Sequence, residues 1–228
     1  NNFQFRYVKV KNILSNPKRT LIFLHGNKCS ISELIGLKKG NCADSVAIDM
    51  ANSGIEVLIP IKYNMGKKNF SNEITINAAI AGTTFEALEQ MKIKGILDIY
   101  KTKNKSLALY GFSHGAWQVY LASILNYVDI YFFHDYLINL KNAFKNLDFY
   151  TDYDASLSSI YNYSEGFQIS QSKEIVVLLG KKSGYINTDY VNSIKNDFDK
   201  DKVKIIYYDG DHYISRDIIT KFVINKRW

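Results

Sequence analysis

The pentapeptide Gly111-Phe112-Ser113-His114-Gly115 carries the residue types of nucleophilic catalysis at the spacing that catalysis needs. It lies within SLALYGFSHGAWQVYLASIL, residues 106–125, where an apolar run typical of a buried strand enters the motif and an apolar, helix-forming segment leaves it. A serine at the apex of such a strand–turn–helix is crowded into an unfavourable backbone conformation, so the positions two before and two after must be small; here both are glycine. The turn lifts the hydroxyl clear of the sheet, where an imidazole can take its proton. It also aims the amide of His114, at the helix start, toward a developing oxyanion. Five-residue patterns with two glycines arise by chance, but chance rarely supplies the strand before and the helix after.

The elements that must position this serine can be read on either side of it. Residues 3–11 alternate apolar and polar side chains, as in a half-exposed antiparallel edge strand, and Asn16-Pro17 breaks them. Residues 20–24 form a buried strand that stops at His25-Gly26-Asn27. Helical spacing over 42–52 gives way at Ser53-Gly54 to a strand over 56–61. A long helix is expected over 74–100, irregular near Gly82, with Ala79, Thr83, Leu88, Met91, Gly95, Ile96 and Ile99 on one face. Strand 106–110 and helix 116–125 frame the serine, and strand 128–133 ends at His134-Asp135. Residues 136–172 lose the pattern and fill with aromatics, which reads as a small cap or lid insertion of short helices and loops. Strand 174–179, helix 189–198, strand 203–208 and helix 214–223 complete the chain. Alternating strands and helices imply a mostly parallel sheet with helices on both faces, and no repeat or linker divides the chain into domains.

In an open parallel sheet, functional groups gather beyond the carboxyl ends of the strands. Those ends carry His25-Gly26-Asn27, Ser113-His114, His134-Asp135, Ser183 and Asp209-Gly210-Asp211-His212. At this point the chain resembles the α/β-hydrolase family over nearly its whole length. His25-Gly26, the Gly111–Gly115 turn and Gly210-Asp211-His212 carry the likeness. The segment IAGTTFEALEQMKIKGILDIYKTKNKSLALYGFSHG is similar to the approach to the nucleophile in dienelactone-hydrolase-like and acetyl-esterase-like members. The resemblance implies a sheet of about eight strands, Ser113 as nucleophile and His212 as general base. It also implies an oxyanion hole from the amides of His114 and of Asn27 or Lys28.

The physical chemistry agrees with these roles. A serine hydroxyl is a poor nucleophile until a base accepts its proton, and imidazole titrates in the right range. With His25 and His114 in the amide-donating turns, His134 and His212 remain as bases. His212 follows the last strand, in the triad order serine, acid, histidine, and His134 reads as structural.

The acid is where the pattern departs. The family's usual acid turn reads Gly180-Lys181-Lys182-Ser183 here, and serine can orient an imidazole but cannot stabilise an imidazolium by charge. Three arrangements compete: Asp135 at the end of the sixth strand supplies the carboxylate, Asp189 reaches back from a helix start, or no acid exists. Asp135 ranks first because it directly follows a strand; its competing role is to cap a helix. Tyr136, Phe149, Tyr150 and Tyr153, with His25, are candidate walls of a substrate pocket, or else pack a small cap on the sheet.

Composition bounds the remaining classes. The 228 residues, 46% hydrophobic and 22% charged, suit one sizeable core. The net charge of +7 comes from scattered lysines unaccompanied by a binding motif, so nucleic acid is not an expected partner. No apolar run reaches membrane-spanning length. The histidines show no metal-ligand spacing, and residues 25–30 lack a dinucleotide fingerprint, so no cofactor is expected. Cys29 and Cys42 either close a short disulfide loop or remain as two thiols. With the Asn1-Asn2 start, taken as the scar of a removed leader or tag, they lean toward an exported protein. The expected function is hydrolysis of a small carboxylic ester through an acyl-enzyme. A binding protein with an eroded triad, and a thioesterase or peptidase, are the alternatives.

Overall fold

The computed structural model describes residues 5–26, 29–40, 42–62, 77, 80–83, 85–103, 105–123, 125–135, 173–183 and 203–228. In chain order the elements are β1 (Tyr7–Val10), β2 (Arg19–Leu24), α1 (Ile31–Leu34), α2 (Val46–Asn52), β3 (Ile55–Pro60), α3 (Phe85–Tyr100), β4 (Ser106–Phe112), α4 (His114–Ser123), β5 (Ile130–His134), β6 (Glu174–Gly180), β7 (Val203–Tyr208) and α5 (Arg216–Ile219). A π-helical turn, Thr220–Ile224, prolongs α5.

The strands form a seven-stranded sheet in the order β1-β3-β2-β4-β5-β6-β7. β1 runs antiparallel to β3 at the edge, and every other pairing is parallel. About eight strands were expected; the described residues give seven. The inner strands read as continuous apolar runs because both faces of a parallel sheet are covered. Their alternate residues supply two cores. Ile22, Leu24, Leu107, Leu109, Tyr131, Phe133, Val177 and Leu179 pack with Ile93, Ile96, Leu97, Trp117 and Tyr120 from α3 and α4. Leu21, Phe23, Ala108, Tyr110, Phe132, Val176 and Leu178 pack with Val46, Met50, Ile219 and Val223 on the other side.

The long helix expected over 74–100, irregular near Gly82, is broken there: Asn77 and Ile80 are helical before the break. Gly82 adopts φ 71° in a turn, and α3 starts only at Phe85. The inward face differs in part from the expected one, of which Ile96 is buried as expected. Met91 and Ile99 are 48% and 44% exposed, whereas Ile93, Ile96, Leu97 and Tyr100 are buried together with Glu86, Glu89 and Lys92. The expected final helix begins two residues late and widens into the π turn. The expected cap, 136–172, and helix 189–198 lie outside the described residues. Among the described residues no helix is long and apolar enough to cross a membrane.

Candidate active site

Ser113 stands between β4 and α4 with φ 54°, in the left-handed region that a non-glycine residue occupies only when its surroundings hold it there. The flanking glycines are required by contact. A Cβ on Gly111 would lie 2.3 Å from the Gly115 carbonyl oxygen, and one on Gly115 would lie 1.8 Å from that of Leu24. The Ser113 amide donates to the His134 carbonyl at 2.9 Å, which ties the turn to the end of β5. His114 opens α4, so its amide belongs to the outward-pointing amides of a helix's first turn.

The turn after β2 packs directly on the serine: a Cβ on Gly26 would meet the Ser113 Cβ at 3.2 Å. His25 is 1% exposed, and its Nδ1–H donates to the Gly26 carbonyl at 2.8 Å, shaping that turn. Burial, reinforced by the nearby Lys62 ammonium, depresses the His25 pKa to about 3, so the ring is neutral. Cys29 closes the turn by donating its amide to the Gly26 carbonyl, and its side chain forms a disulfide with Cys42 across a Cα–Cα distance of 5.3 Å.

His212 follows β7, and its imidazole lies against the Phe112 ring with centroids 4.5 Å apart, beside the Ser113 turn. Its Nδ1 is 3.3 Å from Oδ2 of Asp135. Asp135 comes one residue after β5 at φ 46°, a conformation that Asp tolerates better than most residues. Its amide donates to the Leu178 carbonyl at 2.9 Å. The carboxylate is buried and accepts from the Gly180 amide at 2.7 Å and from the Tyr208 hydroxyl at 2.9 Å. Burial opposes its ionisation. The adjacent His212 imidazole, the nearby His134 and the Gly180 amide outweigh that cost and hold the carboxyl below its usual range.

His134 points into the sheet's interior. Its Nε2–H donates to the Tyr208 hydroxyl at 2.7 Å, and its Nδ1 accepts from the Tyr110 hydroxyl. Burial lowers its pKa to about 4 and raises those of both phenols, so all three stay neutral. A buried chain thus runs Tyr110, His134, Tyr208, Asp135, His212. Tyr208 was missed in the sequence, where it reads as one more aromatic in a strand. The signal available was its place as the last residue of β7, beside the loop that carries the histidine.

Ser183, three residues after β6, is 3% exposed, and its Oγ makes no hydrogen bond among the described residues. Asn27, Lys28, Tyr136, Phe149, Tyr150, Tyr153 and Asp189 lie outside the described residues.

The sequence matches no family model and no curated protein. The structure does find likenesses. A Klebsiella pneumoniae protein assigned as a dienelactone hydrolase is similar with TM-score 0.62 at 12% identity, covering 91% of this chain and 81% of that one. An esterase of Pyrococcus furiosus is similar with TM-score 0.58 at 17% identity, covering 96% and 86%. A thioesterase domain from the curacin biosynthetic pathway is similar with TM-score 0.57 at 10% identity, covering 93% and 94%. These shared topologies, together with the largely parallel sheet flanked by helices on both faces, identify the architecture: the chain has the α/β-hydrolase fold.

Proposed function

We propose that the protein is a serine hydrolase of carboxylic esters. The observation that carries this reading is the left-handed Ser113 turn with the His212–Asp135 pair beside it. Ser113 Oγ attacks the ester carbonyl carbon while His212 Nε2 takes the hydroxyl proton. The carbonyl electrons move onto oxygen, where the His114 amide and an amide of Asn27 or Lys28 receive the charge. Collapse of the tetrahedral intermediate breaks the ester C–O bond, and His212 returns the proton to the leaving alkoxide. Water, deprotonated by His212, then cleaves the acyl-enzyme. Asp135 keeps the His212 proton on Nδ1 and offsets the imidazolium charge as it forms.

The non-catalytic alternative was motivated by Ser183. A buried carboxylate 3.3 Å from the inner ring nitrogen of His212 favours the enzyme. A fluorophosphonate probe should label the folded protein and leave Ser113→Ala unlabelled; a blank wild type overturns the proposal. Rates on matched ester, thioester and amide substrates decide between esterase, thioesterase and peptidase. The Cys29–Cys42 disulfide supports an exported or otherwise oxidising location, since cytosolic thiols are kept reduced.

A further inference from the structure

Behind the serine turn lies a buried cluster of charged groups that the mechanism above does not use. Lys62, two residues beyond β3, is 4% exposed; Glu86, Glu89 and Lys92 of α3 are 2%, 2% and 1% exposed; His114 and Gln118 of α4 are 4% and 1% exposed. Lys62 Nζ lies 3.0 Å from Nδ1 of His114, and Nε2 of the same ring lies 2.5 Å from Oε1 of Glu86. The Gln118 amide donates to the other Glu86 oxygen at 3.3 Å. Lys92 Nζ donates to Oε1 of Glu89 at 2.7 Å and to the Ile61 carbonyl at 2.8 Å. The partners assign the hydrogen-bond roles of the His114 ring: the Lys62 ammonium donates to Nδ1, and Nε2–H donates to Glu86.

Such a cluster is a poor device for stability. Desolvating charges offsets most of their mutual attraction, and apolar side chains of the same volume would pack at least as well. What the charges do fix is position. They join the end of β3, the first two turns of α3 and the first turn of α4, and they grip both ring nitrogens of the residue that follows Ser113. Among the described residues the cluster also balances, with two ammonium groups against two carboxylates.

Resting on the serine-hydrolase reading, we propose that the Lys62–His114–Glu86 relay positions the oxyanion site: it holds the His114 amide in its donating direction and keeps the charge behind that amide at zero. If Lys62 lost its proton, one carboxylate would be left uncompensated close to where the transition state gathers negative charge, in an interior that screens it poorly. The geometry therefore couples catalysis to the protonation of a lysine buried behind the serine turn.

Among the described residues the groups facing Lys62 are His114 from α4, Glu86, Glu89 and Lys92 from α3, and His25 from the turn after β2. Burial, which outweighs the attraction of Glu89 and Glu86, brings the Lys62 pKa down to about 8. The relay is thus complete below that pH and broken above it.

The test measures kcat and KM on p-nitrophenyl acetate, with fluorophosphonate labelling rates, from pH 6.5 to 9.5 for wild type, Lys62→Met, Glu86→Gln and the double variant. In wild type kcat should fall as pH rises through about 8. Lys62→Met should lower kcat about 10- to 100-fold, less than deleting an oxyanion donor outright, with KM unchanged within about twofold and the alkaline fall gone. The double variant, again balanced in charge, should recover part of that loss, because the new amide oxygen still accepts from the His114 ring. Glu86→Gln is nearly isosteric and serves if Lys62→Met does not fold. It removes a carboxylate that helps keep Lys62 charged, so it should move the alkaline fall about half a unit or more toward acid. Unchanged kcat and unmoved pH profiles in a wild type that does label overturn the relay alone. A wild type that does not label overturns the relay together with the serine-hydrolase reading beneath it.

Discussion

Asp135 and His212 meet across three neighbouring strands, the carboxylate leaving the end of β5 and the imidazole the end of β7, with Oδ2 3.3 Å from Nδ1. The carboxylate is fixed before the histidine arrives, because the Gly180 amide and the Tyr208 hydroxyl already hold its two oxygens. Asp135→Asn keeps the left-handed backbone and an acceptor for Gly180. It also turns an amide donor toward a ring nitrogen that should be donating. The imidazole is then trapped in the wrong tautomer, and kcat/KM on an ester should fall by about three orders of magnitude or more while the melting temperature changes little. A loss under tenfold would remove Asp135 from the triad.

Ser183→Ala is the complementary experiment, since Ser183 Oγ is buried and makes no hydrogen bond among the described residues. Removing an unsatisfied buried hydroxyl should leave stability the same or raise it by up to about 1 kcal/mol. The ester hydrolysis rate should stay within about twofold of wild type, as expected for a residue outside the proton path. A large drop would return the acid role to the Ser183 turn.

Tyr208→Phe removes the hydroxyl that His134 and Asp135 share. The Nε2–H of His134 is then buried without its acceptor, at a cost of about 1–3 kcal/mol. For a chain of this size that is a fall in Tm of roughly 2–12 °C. Activity should drop less than in Asp135→Asn, since the Gly180 amide still holds the carboxylate. Thermal melts and ester kinetics on the same preparation check both halves.

The parts of this site that were legible in the sequence are those fixed by local chemistry. Ser113 could be read because two glycines, a strand and a helix must all surround it within a few residues. The strands could be read because both faces of the sheet are covered, which makes each inner strand one apolar run. Asp135 could only be ranked, because what brings it to His212 is the order β5-β6-β7, and strand order is not a local property. The charged face of α3 was misread for a different reason. Apolar spacing pointed to Met91 and Ile99, which face solvent, whereas Glu86, Glu89 and Lys92 go inside because they find partners there. Hydrophobic periodicity assumes that charges stay in water, and it fails where they are paired.

Two buried histidines make stability depend on pH well above the carboxylate range. Burial holds the pKa of His134 near 4 and that of His25 near 3, against about 6.5 in the unfolded chain. Between those values the unfolded chain binds more protons than the native one, so both contributions are complete above about pH 6.5 and fade as pH falls toward 4. Each histidine contributes a slope of about 1.4 kcal/mol per pH unit inside that window. Denaturant midpoints between pH 7 and 4.5 should decline steadily. His134→Gln, which can still accept from Tyr110 and donate to Tyr208, should roughly halve the decline. A flat profile in wild type would show that neither ring is held neutral.

The disulfide reaches further into the site than its short loop suggests. Cys29 closes the turn after β2, and Cys42 begins a segment that clasps the chain just after His212. The Cys42 carbonyl accepts from the Ile214 amide at 2.9 Å, Ala43 bridges Ile214, and Asp44 accepts from the Tyr213 hydroxyl at 2.9 Å and the Arg216 amide at 3.2 Å. The turn packed on Ser113 is therefore tied by the disulfide to a short strap that in turn hydrogen-bonds the loop after His212. Replacing both cysteines by alanine frees the loop in the unfolded chain and should cost about 3 kcal/mol. In a chain of this size that corresponds to a fall in Tm of roughly 6–12 °C. Because the strap also sets the spacing of two segments of the proposed site, kcat at a temperature where the variant is fully folded should fall severalfold, and reduction of the wild type should reproduce both effects. A variant that melts early yet keeps full kcat would confine the disulfide to stability.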